Sequence, residues 1–280
     1  PRDRRLDWLR GSAVLAMSIN HFGLDRSWYH PVTGGSVFLI NAAEVFFVVS
    51  GVTLGIVSGR RDLAAGSIRC WRRVVDLWLA IMLMAFGGAA LSREAIDRDE
   101  PLRWIGSVLT LQEAPFWSDV LVTYVLYLLA VPPILALLHA GRTRLVVAGI
   151  VAVYVAGRLD PGRLELPFAG FRTLSVNAPL FLGGLVLGWH RQAIASAWSR
   201  MPGRRIVDGL AVATGLGLLV LYATGYRAWP ALGEALEVST LEQREFHMPP
   251  LALAIVVVYL RCLWLLVDRL WLVLARGLGW

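Results

Sequence analysis

The chain has 280 residues, 57% of them hydrophobic and 17% charged, with 27 basic residues against 20 acidic ones and a net charge of +7. A soluble domain is about 45–50% apolar and about 25% charged, so both departures point to a polytopic membrane protein. The pI near 10.1 does not argue for nucleic-acid binding, because the basic residues, all of them arginine, lie between apolar runs; that is a pattern of membrane topology.

Two cysteines, Cys70 and Cys262, lie in or beside apolar segments, which argues against a disulfide framework. The first residue is Pro1 and the closing RGLGW follows soon after a new apolar run begins, so residues 1–280 are expected to form a single integral-membrane domain truncated at both ends. The first apolar run, after Arg10, lacks the small-residue cleavage site of a signal peptide and continues into the fold.

A membrane span needs roughly 20 apolar residues. On that measure about eight spans are predicted: Trp8–Leu24, Ser36–Ser58, Val74–Leu91, Val120–His139, Leu145–Gly157, Thr173–Trp189, Ile206–Tyr226 and Pro250–Val267, with a partial ninth from Leu270. Arginines orient them. Arg2, Arg4, Arg5 and Arg10 precede the first span; Arg60, Arg61, Arg69, Arg72 and Arg73 fall in the second loop, Arg142 and Arg144 in the fourth, and Arg191, Arg200, Arg204 and Arg205 in the sixth. The alternate loops carry acids such as Asp97, Glu100, Asp160, Glu234 and Glu245. By the positive-inside rule the N-terminus is cytoplasmic. The expected fold is therefore all-α, a transmembrane bundle of about eight to nine spans with a cytoplasmic N-terminus. Gly51, Gly55 and Gly59, and again Gly184 and Gly188, recur every fourth residue, the spacing that lets helix backbones approach closely. Pro132, Pro133 and Pro179 should kink their spans. No internal repeat supports an inverted-repeat transporter.

The polar groups inside the first two spans carry the functional signal, since ionisable residues in lipid are costly and mark sites. Arg10 and His21 are eleven positions apart, which returns to nearly the same helix face about 16 Å further on; Ser18 shares that face. A guanidinium clamps phosphate or carboxylate, and an imidazole takes a proton from a hydroxyl near neutral pH. Two plainer readings stay open: Arg10 snorkels to headgroups, and His21 is a structural histidine. Glu44 lies in an apolar helix with Asn41 one turn before it, and needs a partner or a polar cavity. It serves either to orient and charge His21 or as a clasp between spans. Asp119 opens the fourth span, either as an N-cap or with Thr123, Tyr124 and Asn177 as a lining of the same cavity. His30 reads as interfacial, and His139, His190 and His247 sit at span ends without an assigned role. No metal-ligand spacing, nucleophile elbow or phosphate-binding loop is present, so no metal and no permanently bound cofactor is expected.

The opening RLDWLRG with Asn20-His21 resembles the signature of the acyltransferase family 3 membrane enzymes. RDRRLDWLRG…INHFG, NAAEVFFVVSGVTLG, WSDVLVTYVLYLL and NAPLFLGGLVLG are similar to its OpgC-type branch, which succinylates osmoregulated periplasmic glucans; related proteins succinylate cell-envelope arabinan. The resemblance runs from Asp3 to about Tyr259. It implies about ten helices in a bacterial cytoplasmic membrane, a cytoplasmic acyl-CoA donor (succinyl-CoA) and a glycan acceptor outside. It also implies His21 as the base and Arg10 as essential. Glu44 matches the branch's AEVF block, and Asp119 and Tyr124 its D-x-L-x-x-Y block. The expected catalytic residues are thus His21 and Glu44, and the expected substrate-binding residues Arg10, Asn20, Asn41, Asp119, Tyr124 and Asn177. Arg172 is a further candidate, by position, for a succinyl carboxylate. The expected partners are acyl-CoA, a glycan and the lipid bilayer, and no nucleic acid. The rivals are a multi-pass transporter or flippase and an inactive membrane scaffold.

Overall fold

The structure, a computed structural model, describes residues 4–22, 42–91, 101–113, 118–160, 174–220 and 250–277. These are all-helical, with ten helices and no strand among them. In chain order they are α1 (Arg4–Phe22), α2 (Ala42–Ser58), α3 (Leu63–Leu91), α4 (Pro101–Leu109), α5 (Asp119–His139), α6 (Thr143–Leu159), α7 (Leu174–Trp189), α8 (Arg191–Arg200), α9 (Arg204–Val220) and α10 (Pro250–Gly277). Apart from the short α4 and α8, each coincides with one predicted apolar run. Among the described residues two helices, Leu63–Leu91 and Val120–His139, are long and apolar enough to cross a membrane, and Ala42–Ser58 and Asn177–Trp189 are shorter apolar helices.

Three expectations are corrected. The third helix begins at Leu63 rather than Val74, so Arg69, Arg72 and Arg73 are helical and not in a loop. Its 29 residues extend about 43 Å, well beyond the roughly 30 Å of a bilayer's hydrocarbon, so its first turns can be polar without breaking the helix. No ninth segment starts at Leu270, because α10 runs unbroken from Pro250 to Gly277. The helices α4 and α8 were not anticipated; neither is long enough to cross a bilayer. Pro132 and Pro133 lie within α5, and Pro179 within α7.

One seam holds the centre. A Cβ on Gly51 would overlap the Phe181 carbonyl oxygen, and one on Gly55 the Leu185 carbonyl oxygen. From the other side, a Cβ on Gly184 would sit 2.6 Å from the Val48 carbonyl oxygen, and one on Gly188 would overlap that of Val52. The two predicted glycine faces are therefore each other's partners, and α2 and α7 run parallel with their backbones touching. Onto this pair packs α5, through Phe46–Tyr124 (5.3 Å), Phe47–Tyr127 (5.7 Å), Tyr124–Phe181 (5.4 Å) and the stacked Tyr127–Phe181 pair (5.5 Å). The Tyr127 hydroxyl donates to the Leu174 carbonyl at 2.7 Å, pinning the start of α7.

The remaining contacts set the helix directions. Gly66 of α3 abuts Leu135 late in α5, and Cys70, one turn further along α3, lies near Tyr124 early in α5, so these two run antiparallel. Thr143 bonds His190 at 2.9 Å, which brings the start of α6 to the end of α7. His139 meets Trp189 edge-on at 4.8 Å, where α5 and α7 both end. Arg5 pairs with Asp268 and lies 4.7 Å over Trp264, tying the start of α1 to the later part of α10. Arg261 donates to Asp208 at 2.8 and 2.6 Å, joining α10 to α9. One end of the bundle thus gathers the starts of α3 and α6 with the ends of α2, α5 and α7, and the arginines of those segments, Arg60, Arg61, Arg142, Arg144 and Arg191, gather with it. The outward faces are apolar: Leu79, Leu83, Val151 and Val257 are exposed. Apolar exposure on that scale marks an interaction with lipid or another apolar surface.

Substituting Gly55→Val should cost about 3 kcal/mol or more, because overpacking against backbone cannot be relieved by a rotamer. Gly149→Ala, where a Cβ meets nothing within 4 Å, should stay within about 0.5 kcal/mol. Thermal unfolding in detergent micelles separates the two outcomes.

Candidate functional site

The buried polar groups fall at two levels. Glu44 lies in the first turn of α2 and is 5% exposed; it is engaged by a polar partner and not left free. Asn177, near the start of α7, is 3% exposed. The glycine seam relates them. Glu44 is seven residues before Gly51, and Asn177 seven before Gly184. A seven-residue step falls only about 20° short of two turns and covers about 10.5 Å. Since α2 and α7 are parallel, the same step carries both residues back along the seam to its beginning, at the end of the bundle away from the arginines.

The second level lies about 9 Å along α2, six residues on, at Ser50. The Ser50 hydroxyl is buried near the Tyr124 hydroxyl, and among the described residues Ser50 Oγ has no partner at full hydrogen-bond geometry. Tyr124 is 7% exposed, held by Phe46 and Phe181, and lies within electrostatic reach of Arg73 and Arg10 and beside Cys70. Four helices, α1, α2, α3 and α5, therefore bring one guanidinium, hydroxyl or further guanidinium each to a single place. Arg10 is half-exposed, with a 3.7 Å contact to Asp7 on its own helix. This is an anion-compatible mouth: two cations on the solvent side and two hydroxyls behind them.

Asn20 and His21 are helical residues of α1, which continues to Phe22; their side chains lie outside the described residues. The buried face of α1 runs through Leu6, Leu9 and Ala13. Asn41 and Arg172 lie outside the described residues altogether. Asp119 is the first residue of α5, and its side chain is likewise outside. Ser118, just before it, is fully buried and has a partner. Glu44 and Asn177 come to the same level, and Tyr124 and Arg10 to another. Among the described residues, no group of three His, Cys, Asp or Glu side chains could hold a metal.

Sequence reasoning missed Arg73 and Ser50. Arg73 was taken for a loop residue because the hydropathy pattern begins at Val74. The signal available was that the run from Leu63 to Arg73 has no proline and no helix-ending pair of glycines. Ser50 gave no local signal, since a single serine in an apolar helix is ordinary; only its burial opposite Tyr124 distinguishes it.

The chain matches a family model described as OpgC protein over residues 2–279. No curated protein and no solved structure matches it.

Ser50→Ala should leave stability unchanged or raise it by about 1 kcal/mol, because it removes a buried hydroxyl that has no hydrogen bond. Tyr124→Phe keeps the aromatic contacts and should shift stability by no more than about 1 kcal/mol. Thermal unfolding of the purified variants checks both.

Proposed function

Because this chain belongs to the OpgC protein family, we propose that it is a multi-pass acyltransferase of a bacterial cytoplasmic membrane. It moves a succinyl group from cytoplasmic succinyl-CoA to a hydroxyl of a periplasmic or cell-envelope glycan. The arginine-rich end of the bundle faces the cytoplasm, in line with the positive-inside rule, and the starts of α2, α5 and α7 face the outside. The observation that carries this reading is a pair of polar levels in a largely apolar bundle: the buried Glu44 at one, and at the other the buried Ser50 and Tyr124 with the more exposed Arg10 and Arg73 in electrostatic reach.

The donor enters at the arginine-rich end. Its phosphates are taken by Arg10 and Arg73, with Tyr124 and Ser50 facing the pantetheine arm. The thioester reaches the level of Glu44. The His21 imidazole, oriented and charge-balanced by Glu44 with Asn41 beside it, takes the proton of a glycan hydroxyl arriving from the other end. Asn20 and Asp119 belong to the acceptor side. The oxygen bonds to the thioester carbon, the C–S bond breaks, and the imidazolium returns its proton to the departing CoA thiolate. No metal and no bound cofactor takes part.

Membranes bearing the chain are incubated with radiolabelled succinyl-CoA and an oligosaccharide glucan, and ester on the glycan is counted. The wild type should form ester. His21→Ala should lower the rate by about 10²–10⁴-fold, the range of general-base catalysis, while folding normally. Arg73→Ala should raise KM for succinyl-CoA about tenfold or more, the cost of one charge-assisted hydrogen bond. Substrate movement without ester would replace this reading with that of a transporter.

A further inference from the structure

We infer that Asn177 is the oxyanion donor of this site. The inference rests on the acyltransferase reading and adds the group that stabilises the charge developing on the thioester oxygen. The reaction needs such a group: when the hydroxyl oxygen attacks, the carbonyl π pair moves onto oxygen, and a fixed neutral donor there lowers the barrier more than water does.

Burial and register single out Asn177. Among the described residues the buried polar ones are Glu44, Ser50, Ser58, Ser118, Thr123, Ser175 and Asn177. Ser58 lies at the arginine-rich end, beside Gly66. Ser50 faces Tyr124, about 9 Å from Glu44 along α2. Ser118, Thr123 and Ser175 already have partners. Among the described residues no hydrogen bond holds the Asn177 amide, although the residue is 3% exposed. The seam fixes its level: reciprocal backbone contacts at Gly51, Gly55, Gly184 and Gly188 forbid α7 from sliding along α2. Asn177 and Glu44 are therefore held side by side at the start of the seam. A carboxylate that supports the base and a neutral amide that receives the oxyanion flank the same space. Both residues sit in the first turn of parallel helices, whose N-terminal partial charges are positive and favour negative charge between them.

The step balances without any further reactant. The glycan oxygen gives its proton to the His21 imidazole and forms the C–O bond. The carbonyl oxygen takes the displaced electron pair and accepts from Asn177 Nδ2–H. On collapse the pair returns, the C–S bond breaks, and the thiolate leaves with the proton from the imidazolium. Asn177 is unchanged throughout.

The test is steady-state kinetics of the full chain in detergent micelles, with succinyl-CoA and an oligosaccharide glucan. Asn177→Ala should lower kcat by about 10²–10³-fold, as loss of one oxyanion donor does, with KM for succinyl-CoA changed less than about twofold. Asn177→Asp, which keeps the size and removes the donor, should fall at least as far with the unfolding midpoint preserved; it serves as the probe if Asn177→Ala does not fold. A raised KM with kcat intact would make Asn177 a binding residue and overturn the inference, as would full activity in Asn177→Asp. A wild-type chain that forms no ester would overturn the acyltransferase reading itself. The two failures are therefore distinguishable.

Discussion

The close contact of α2 with α7 is the constraint on which the rest of the structure depends. In an apolar solvent, helices are not driven together by hydrophobic burial; they associate where backbones can touch. Four glycines make that possible here, two on each helix, each set against a carbonyl of the other. The contact is reciprocal, so it specifies register as well as proximity. A slide of α2 by one residue would put Ser50 or Val52 where Gly51 sits and Leu54 or Ile56 where Gly55 sits, against backbone. The aromatic group of Phe46, Phe47, Tyr124, Tyr127 and Phe181 then seats α5 on the seam. The central three helices are thereby locked before any polar group is considered.

That locking decides where the polar groups can be. Parallel helices align their dipoles unfavourably, at a cost that packing must offset. The same arrangement places two helix starts, with their positive partial charges, at the level of Glu44. A buried carboxylate elsewhere in this bundle would face only apolar side chains and would need a dedicated cation. The seam thus supplies rigidity and an electrostatic environment from the same four residues, and a change that loosens one loosens the other.

Much of this was legible in the chain. The apolar runs located eight helices because a span must satisfy its own backbone, so length and hydropathy are enough. The glycine spacing identified two contact faces, though not that they face each other, because pairing is a property of three dimensions and no repeat of residue types announces it. The start of α3 differs for a physical reason: hydropathy marks only the apolar part of a helix, so Arg69, Arg72 and Arg73, in its polar first turns, read as loop. The short α4 was hidden because its stability comes from α3, through the Trp78 indole donating to the Leu109 carbonyl at 3.0 Å and the Phe86–Trp104 contact at 5.6 Å. Of the site, Glu44 and Arg10 were visible as charges in apolar context. Ser50 and Arg73 were not, since only their convergence on Tyr124 gives them meaning.

The arginines themselves divide by what they meet. Arg5 and Arg261 each pair with a carboxylate on another helix and lie over a tryptophan ring, Arg5 over Trp264 and Arg261 over Trp198 at 5.0 Å. Both bonds engage α10, whose contact with the centre is otherwise slight, so these charges are consumed in holding the periphery. Arg10 has only a 3.7 Å contact within its own helix, and Arg73 makes no ion pair among the described residues. A guanidinium that a protein intends for structure is given a close carboxylate, because a partly buried cation without one is unstable. Arg10 and Arg73, within electrostatic reach of the buried Tyr124 and with no carboxylate on another helix among the described residues, leave positive charge at one level, and Glu44 lies at another. On the proposed acyltransferase reading, that asymmetry would draw the polyanionic part of an acyl-CoA to the guanidinium level and leave its acyl carbon, last along the pantetheine arm, towards the carboxylate. On that reading the direction of transfer would follow from which cations have no carboxylate on a neighbouring helix.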